Sequence, residues 1–175
     1  MTERPDLEFT AAQMHAMVDA VAGRCIDHIV NLPTQPILGD VGAEDFCRRM
    51  REDAPEQGSP LEPLLDQLFR DYVPRSFTTP GPGYLAYIPG GGVFPAALAD
   101  FIADTTNRYT GIWQAAPALV QLEANALDWL RDWMGFPPTS RGLFTTGGSM
   151  ATFNAILCAR ERHLGPDLRP GVLYT

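Results

Sequence analysis

The sequence contains no lysine; all 13 of its basic residues are arginines. No side chain can therefore form a Schiff base, so a carbonyl group held in that way in a site would need its lysine from elsewhere. The same absence excludes a P-loop, whose last glycine is followed by Lys-Ser or Lys-Thr. Cysteine is scarce. Cys25, Cys47 and Cys158 are odd in number and widely spaced, which suggests neither a disulfide framework nor a zinc motif and predicts buried or half-buried free thiols. No apolar run is long enough to span a bilayer, and the opening MTERPDLEF lacks the apolar centre of a signal peptide. No membrane partner and a cytoplasmic location are the resulting expectations. Positive charge is also in deficit. With 21 acidic residues the formal net charge is −8, which argues against nucleic acid as a partner.

What remains is a globular composition, 45% hydrophobic and 19% charged, in a chain of 175 residues. Residues 10 to 30 read as an amphipathic helix. Thr10 and Gln13 form a capping-box pattern, and Met14, Met17, Val18, Val21, Cys25, Ile26 and Ile29 recur on one face. Asn31 and Pro33 stop it. This face fits a core or a partner subunit equally well. A short helix is expected at Glu44 to Arg51, and another from Leu61 to Tyr72 with Leu64, Leu65, Leu68 and Phe69 on one side.

The segment SFTTPGPGYLAYIPGGGVFP, residues 76 to 95, is too rich in glycine and proline for a helix or regular strand. Its four aromatic residues make it too apolar to stand in water, so it should pack on a ligand, on another subunit or inside the fold. Pro95 opens a helix to about Asn107, with Leu98, Phe101, Ile102 and Thr105 as its inner stripe. Pro117 opens another to Met134, with Leu119, Leu122, Ala126, Leu130 and Trp133 on one face, ended by Gly135 and Pro137. Gly142 to Thr146 reads as an extended segment leading through Gly147, Gly148 and Ser149 into a helix from about Met150 to Leu164. GVLYT then reads as a strand start. Strand, glycine turn, helix and strand are the opening of a βαβ unit, whose parallel sheet needs more strands than these residues supply. The expectation is a piece of a larger fold, or one half of a two-chain assembly.

The glycine turn is the main candidate for chemistry. The first amides of a helix have no internal partner, and the helix dipole is positive there. Gly147 and Gly148 let a phosphate approach the backbone, and Ser149 adds a hydroxyl that could also cap the helix; a plain capped turn has the same appearance. Gly81 to Ala86 fits a dinucleotide fingerprint in spacing alone, because it follows no strand and Pro89 to Gly92 block the helix it should open. His15, His28 and His163 lack a carboxylate or thiol cluster and read as surface or interface histidines. Asp100 and Asp104, four apart, read as a solvated stripe.

Taken together, MVDAVAGRCIDHIV, PGYLAYIPGGGVFPAALADFIADTTN, WQAAPALVQLEANALDWLRDWMGFP and GLFTTGGSMATFNAILCARER resemble, in order and spacing, the group II pyridoxal-phosphate-dependent amino-acid decarboxylases. The likeness covers nearly all of the chain after residue 10. It implies a mainly α chain with the start of an α/β unit: an N-terminal helical dimerisation segment over 1–75 and, over 76–175, the incomplete beginning of a fold-type I large domain. It also implies that Gly147, Gly148 and Ser149 hold the phosphate of pyridoxal 5'-phosphate. Tyr87, Ile88, Pro89 and Gly90 would line the substrate side, and Ile112 and Trp113 would lie at the subunit interface near that pocket. The family's cofactor lysine, pyridine-pairing aspartate and ring-stacking histidine have no counterpart in these residues. The implied chain takes part in decarboxylating an L-amino acid only when completed by the missing C-terminal portion, and its implied partners are a second copy in a homodimer or a complementary C-terminal chain. The alternative is a non-catalytic relative that keeps only the association surface. Either way, large apolar patches are expected on the isolated chain.

Overall fold

A computed structural model describes residues 8–39 and 41–165. GVLYT, expected to begin a strand, lies outside them. The first helix, α1, spans Ala11–Asn31 and starts as its capping residues dictate. The Gln13 amide donates to the Thr10 hydroxyl oxygen, and the Thr10 amide donates back to the Gln13 side chain at 2.8 Å. A 3-10 turn over Leu32–Thr34, with Pro33 inside it, ends α1 where the sequence places the stop. Next come α2 (Ala43–Arg49) and α3 (Leu61–Gln67).

The helix expected to run unbroken from Leu61 to Tyr72 changes pitch partway. After α3 the chain widens into a π turn over Leu68–Tyr72 and then tightens into a 3-10 turn over Val73–Arg75. Pro74 accounts for the change. In a regular helix its ring would strike the carbonyl of Arg70, four residues back. The chain reaches past one residue instead, and the Val73 amide donates to the Leu68 carbonyl, five residues back.

Three more helices follow: α4 (Phe94–Thr106), α5 (Pro117–Trp133) and α6 (Gly148–His163). Asn107, at φ 43°, and Gly135, at φ 71°, take the left-handed conformation just past α4 and α5. At the second stop the Phe136 amide donates to the Arg131 carbonyl at 3.0 Å and the Gly135 amide to Asp132 at 3.1 Å, the paired bonds of a Schellman motif. The described residues contain no strand. Gly142 to Thr146 is irregular, because a lone extended segment has no neighbour to complete a ladder.

The chain forms two compact units, one ending at Ala99 and the other beginning at Asp100. In the first, Arg24 of α1 binds Glu62 (2.6 Å) and Asp66 (2.7 Å) of α3. Both bonds, Asp66 foremost, hold the guanidinium above its ordinary pKa. Phe46 of α2 packs edge-on to Tyr72, with ring centroids 5.9 Å apart, and the Arg75 guanidinium lies 3.9 Å above its ring. The second unit contains α5, α6 and the last part of α4.

Little is buried. Among the described residues only Leu65 and Ala116 reach core-like burial. The stripes expected to face inward, including Leu98, Phe101 and Ile102 on α4 and Leu119, Leu122, Leu130 and Trp133 on α5, stand open. Their helical spacing matches the sequence pattern, but the described residues leave them uncovered. Cys25 is half-buried, within the expected range, whereas Cys47 and Cys158 are exposed, which corrects the expectation that all three thiols are buried or half-buried.

Candidate functional site

The glycine turn sits at the mouth of α6. The helix begins at Gly148, two residues earlier than expected, so Gly147 is the capping position and Ser149 falls inside the first turn. No side chain caps this end, which corrects the capping role considered for Ser149. Gly147 is fully extended, at φ 158° and ψ 175°. Its carbonyl accepts from the Thr145 hydroxyl at 3.0 Å and from the Ala151 amide at 3.1 Å, which fixes the turn from both sides. Among the described residues no hydrogen bond takes up the amides of Gly148, Ser149 or Met150.

The electrostatics of α6 run in one direction. Its first turn carries no acidic residue, and Arg160, Arg162 and His163 stand at its far end. The basic end complements the negative pole of the helix, while the first turn at the positive pole contributes no acidic side chain of its own. A Cβ placed on Gly147 or Gly148 would meet nothing within 4 Å. The turn is therefore open, with unbonded donors and room for an anion. These are the features a phosphate group requires.

The second group of predicted residues lies in the first unit. Tyr87 (φ 58°) and Ile88 (φ 49°) are consecutive residues in the left-handed region. This conformation is rare for any residue with a side chain and an outlier for a β-branched one, at a cost of order 1–3 kcal/mol each. Their side chains are 89% and 97% exposed, so nothing in this unit packs on them. Pro89 and Gly90 continue the same exposed loop. Ile112 and Trp113 belong to the second unit. Trp113 opens a 3-10 turn over Trp113–Ala115 ahead of α5, and both side chains are more than half exposed. Among the described residues no hydrogen bond joins Ile112 or Trp113 to the glycine turn.

Two clefts escaped the sequence reading. One, of about 400 Å³, lies in the first unit between α1 and α3 and is lined by Arg24, Asp27, His28, Gln35, Asp66 and Phe69, among others. Charged residues four apart on α3 and beyond it, at Glu62, Asp66 and Arg70, were the available signal. The other, of about 410 Å³, lies in the second unit under the end of α5, between Leu127, Arg131, Met134, Phe136 and Arg141. No predicted site residue lines either cleft. His28 lines the first and is half-buried, whereas His15 and His163 are exposed as expected. The described residues contain no cluster of His, Cys, Asp and Glu fit to hold a metal ion, and none of their helices is long and apolar enough to cross a membrane.

Residues 44–165 match the family model described as the pyridoxal-dependent decarboxylase conserved domain. The chain is 30% identical over 169 residues to an aromatic-L-amino-acid decarboxylase of Bacillus atrophaeus, covering 97% of this chain and 35% of that protein. An aromatic-L-amino-acid decarboxylase of Catharanthus roseus is 30% identical over 164 residues, covering 89% of this chain and 32% of that protein. Among solved structures, the tryptophan decarboxylase of Catharanthus roseus in complex with L-tryptophan superposes with a TM-score of 0.81 at 25% identity, over 93% of this chain and 37% of that one. The chain thus spans about a third of the length of the curated relatives it matches.

Proposed function

The chain belongs to the pyridoxal-dependent decarboxylase family, matched over residues 44–165, and from that premise we propose that it is the phosphate-anchoring and substrate-wall portion of an enzyme that decarboxylates an L-amino acid. The observation that carries this reading is the open mouth of α6, with three unbonded amides, no acidic side chain of its own and two glycines that leave space for a ligand. Gly148 and Ser149 would hold the cofactor's phosphate through their amides, with the Ser149 hydroxyl as a further donor, and Gly147 would leave it room. Pyridoxal phosphate, when bound, supplies the electron sink for the pair left behind as carbon dioxide departs. This chain's part is to bind, orient and enclose.

Tyr87, Ile88, Pro89 and Gly90 would form the substrate side of the pocket. The strained, outward Tyr87–Ile88 pair supports this, because an apolar corner held in that conformation and left uncovered is suited to meet a ligand or a second subunit. Ile112 and Trp113 would complete the wall from the subunit interface. The relatives' names favour an aromatic substrate. The exposed faces of α1 and α4 would form much of a homodimer surface.

The test uses the phosphate itself. Pyridoxal phosphate and phosphate-free pyridoxal are titrated against the chain, followed by cofactor absorbance and by the amide resonances of Gly148 and Ser149. The phosphorylated compound should bind at least about tenfold more tightly, the worth of one or two charge-assisted hydrogen bonds. Gly148→Pro, which removes one donor at a position where proline suits a helix start, should abolish the difference. Equal binding of the two compounds would refute the reading. With either compound the 175-residue chain should release no carbon dioxide from an L-amino acid, because it holds no lysine.

A further inference from the structure

Past the end of α1 the chain runs from Gln35 to Gly39 beside the segment 74–84, and four observations tie the two together. The Thr78 hydroxyl donates to the Pro36 carbonyl at 2.7 Å, and the Thr78 amide donates to the Ile37 carbonyl at 3.0 Å. A Cβ on Gly39 would lie 1.9 Å from the Pro74 carbonyl oxygen, so the two backbones pass too closely for any side chain. A Cβ on Gly83 would lie 2.6 Å from Ile37 Cδ1. This short strap therefore seats the base of the loop that carries Tyr87 to Gly90.

The strap is fastened at its other end by His28. The Gln35 side-chain nitrogen lies 3.1 Å from the His28 carbonyl oxygen and 3.2 Å from His28 Nδ1. A backbone carbonyl only accepts, so the nitrogen end of the Gln35 amide must face it. The second amide hydrogen then points to Nδ1, which must accept, and the neutral ring carries its proton on Nε2. Phe69 stands edge-on at 6.2 Å. The charged groups lining this cleft are Arg24 and Asp27 from α1, Asp66 from α3 and Arg70 from the π turn. Arg24 is bound by Glu62 and Asp66, and Arg70 by Asp71, so neither guanidinium is tied to His28.

We propose that His28 and Gln35 are positioning residues for the Tyr87–Gly90 loop, and that the line from His28 through Gln35, Pro36 and Ile37 to Thr78 loosens when His28 is protonated. Protonation turns Nδ1 from acceptor to donor, which sets two N–H groups against each other and releases the Gln35 amide from the ring. The meaning of the loop as a substrate wall rests on the function proposed above. The linkage to Thr78 does not.

The test measures amide hydrogen exchange at Thr78 in the 175-residue chain as pH is lowered from about 8 to about 5. Rates are taken relative to amides in the middle of α1, which removes the intrinsic effect of pH. Ring nitrogen shifts report the His28 tautomer in the same samples. The Nε2–H tautomer is expected at high pH, and acidification should speed Thr78 exchange about five- to tenfold, the worth of one hydrogen bond. His28→Phe keeps a ring beside Phe69 and should remove the pH dependence, while Gln35→Leu should leave Thr78 fast at every pH. An Nδ1–H tautomer at high pH, a Thr78 rate that does not move in the unmodified chain, or a pH dependence that survives in His28→Phe would each overturn the linkage. The wild-type pH series needs no variant to fold. Adding an aromatic L-amino acid together with pyridoxal phosphate and following the Tyr87 amide tests the substrate wall separately.

Discussion

The two units contain similar local structure but are held together differently. In the first, hydrogen bonds join residues far apart in sequence: Arg24 to Glu62 and Asp66, and Thr78 to Pro36. In the second, every described hydrogen bond outside the regular helices closes within seven residues, the longest running from Arg131 to the Pro138 carbonyl. Bonds between distant segments tie the first unit, whereas the hydrogen bonds described in the second stay close to each helix and its ends. Capping and Schellman bonds settle where a helix begins and ends, but they bury no apolar surface. The proposed phosphate turn lies in the second unit, and the proposed loop wall hangs from the first. A helix mouth needs only its own backbone to bind an anion, while a loop must be anchored to something.

The contrast is broken most severely by removing the close approach at Gly39. Gly39→Ala places a methyl group inside the Pro74 carbonyl and near Ser76, at 1.9 and 2.8 Å, and both obstacles are backbone that cannot swing aside. The expected cost is about 3 kcal/mol, the upper range for overpacking. It should appear in urea unfolding and as lost exchange protection at Thr78, with the α5 and α6 amides unchanged. If those amides lose protection equally, the units are not independent.

A smaller effect separates buried from bare leucine. Leu65 is 8% exposed in the first unit and Leu122 is 64% exposed in the second. Leu65→Ala should cost about 2–3 kcal/mol and Leu122→Ala no more than about 0.5 kcal/mol, by chemical denaturation of the isolated chain. Equal losses would mean that the α5 face is covered in solution, for instance by self-association. A concentration series by light scattering would reveal this.

The local rules made much of this legible in the sequence. Thr10 with Gln13 gave the start of α1, Pro95 and Pro117 the starts of α4 and α5, and Gly135 the stop, because each acts on its own turn of backbone. What failed was non-local. The apolar spacing from Leu61 to Tyr72 continues unbroken through the π turn, because the effect of Pro74 falls on the turn before it rather than on the pattern. Apolar spacing showed which face of α4 or α5 seeks cover but not whether cover is present. For the site, Gly147 to Ser149 were legible through motif and resemblance together. The His28–Gln35 contact was not, because a lone histidine and a glutamine seven residues on carry no pattern until the chain turns at Pro33.

The smallest expected effect sharpens the comparison from the side of charge. Arg70 donates to Asp71 at 3.1 and 2.9 Å, and these bonds hold the Asp71 carboxyl below the usual carboxylate range. A depressed folded value means that the bond stabilises the fold above the ordinary carboxylate pKa, about 3.9, and that this contribution is lost as pH falls through the lower folded value. The partners are adjacent in sequence, and Arg70 is exposed while Asp71 is half-buried, so much the same pair can form in the unfolded chain and solvent still reaches it in the folded one. Asp71→Asn should therefore leave the urea midpoint at pH 7 almost unmoved and only flatten the acid limb below about pH 4. Arg24 differs because its carboxylates lie some forty residues away and meet it only when α1 and α3 dock. If Asp71→Asn destabilised the first unit as much as Leu65→Ala at neutral pH, local charge rather than the buried contact between distant segments would be holding that unit together, and the distinction between the two units would disappear.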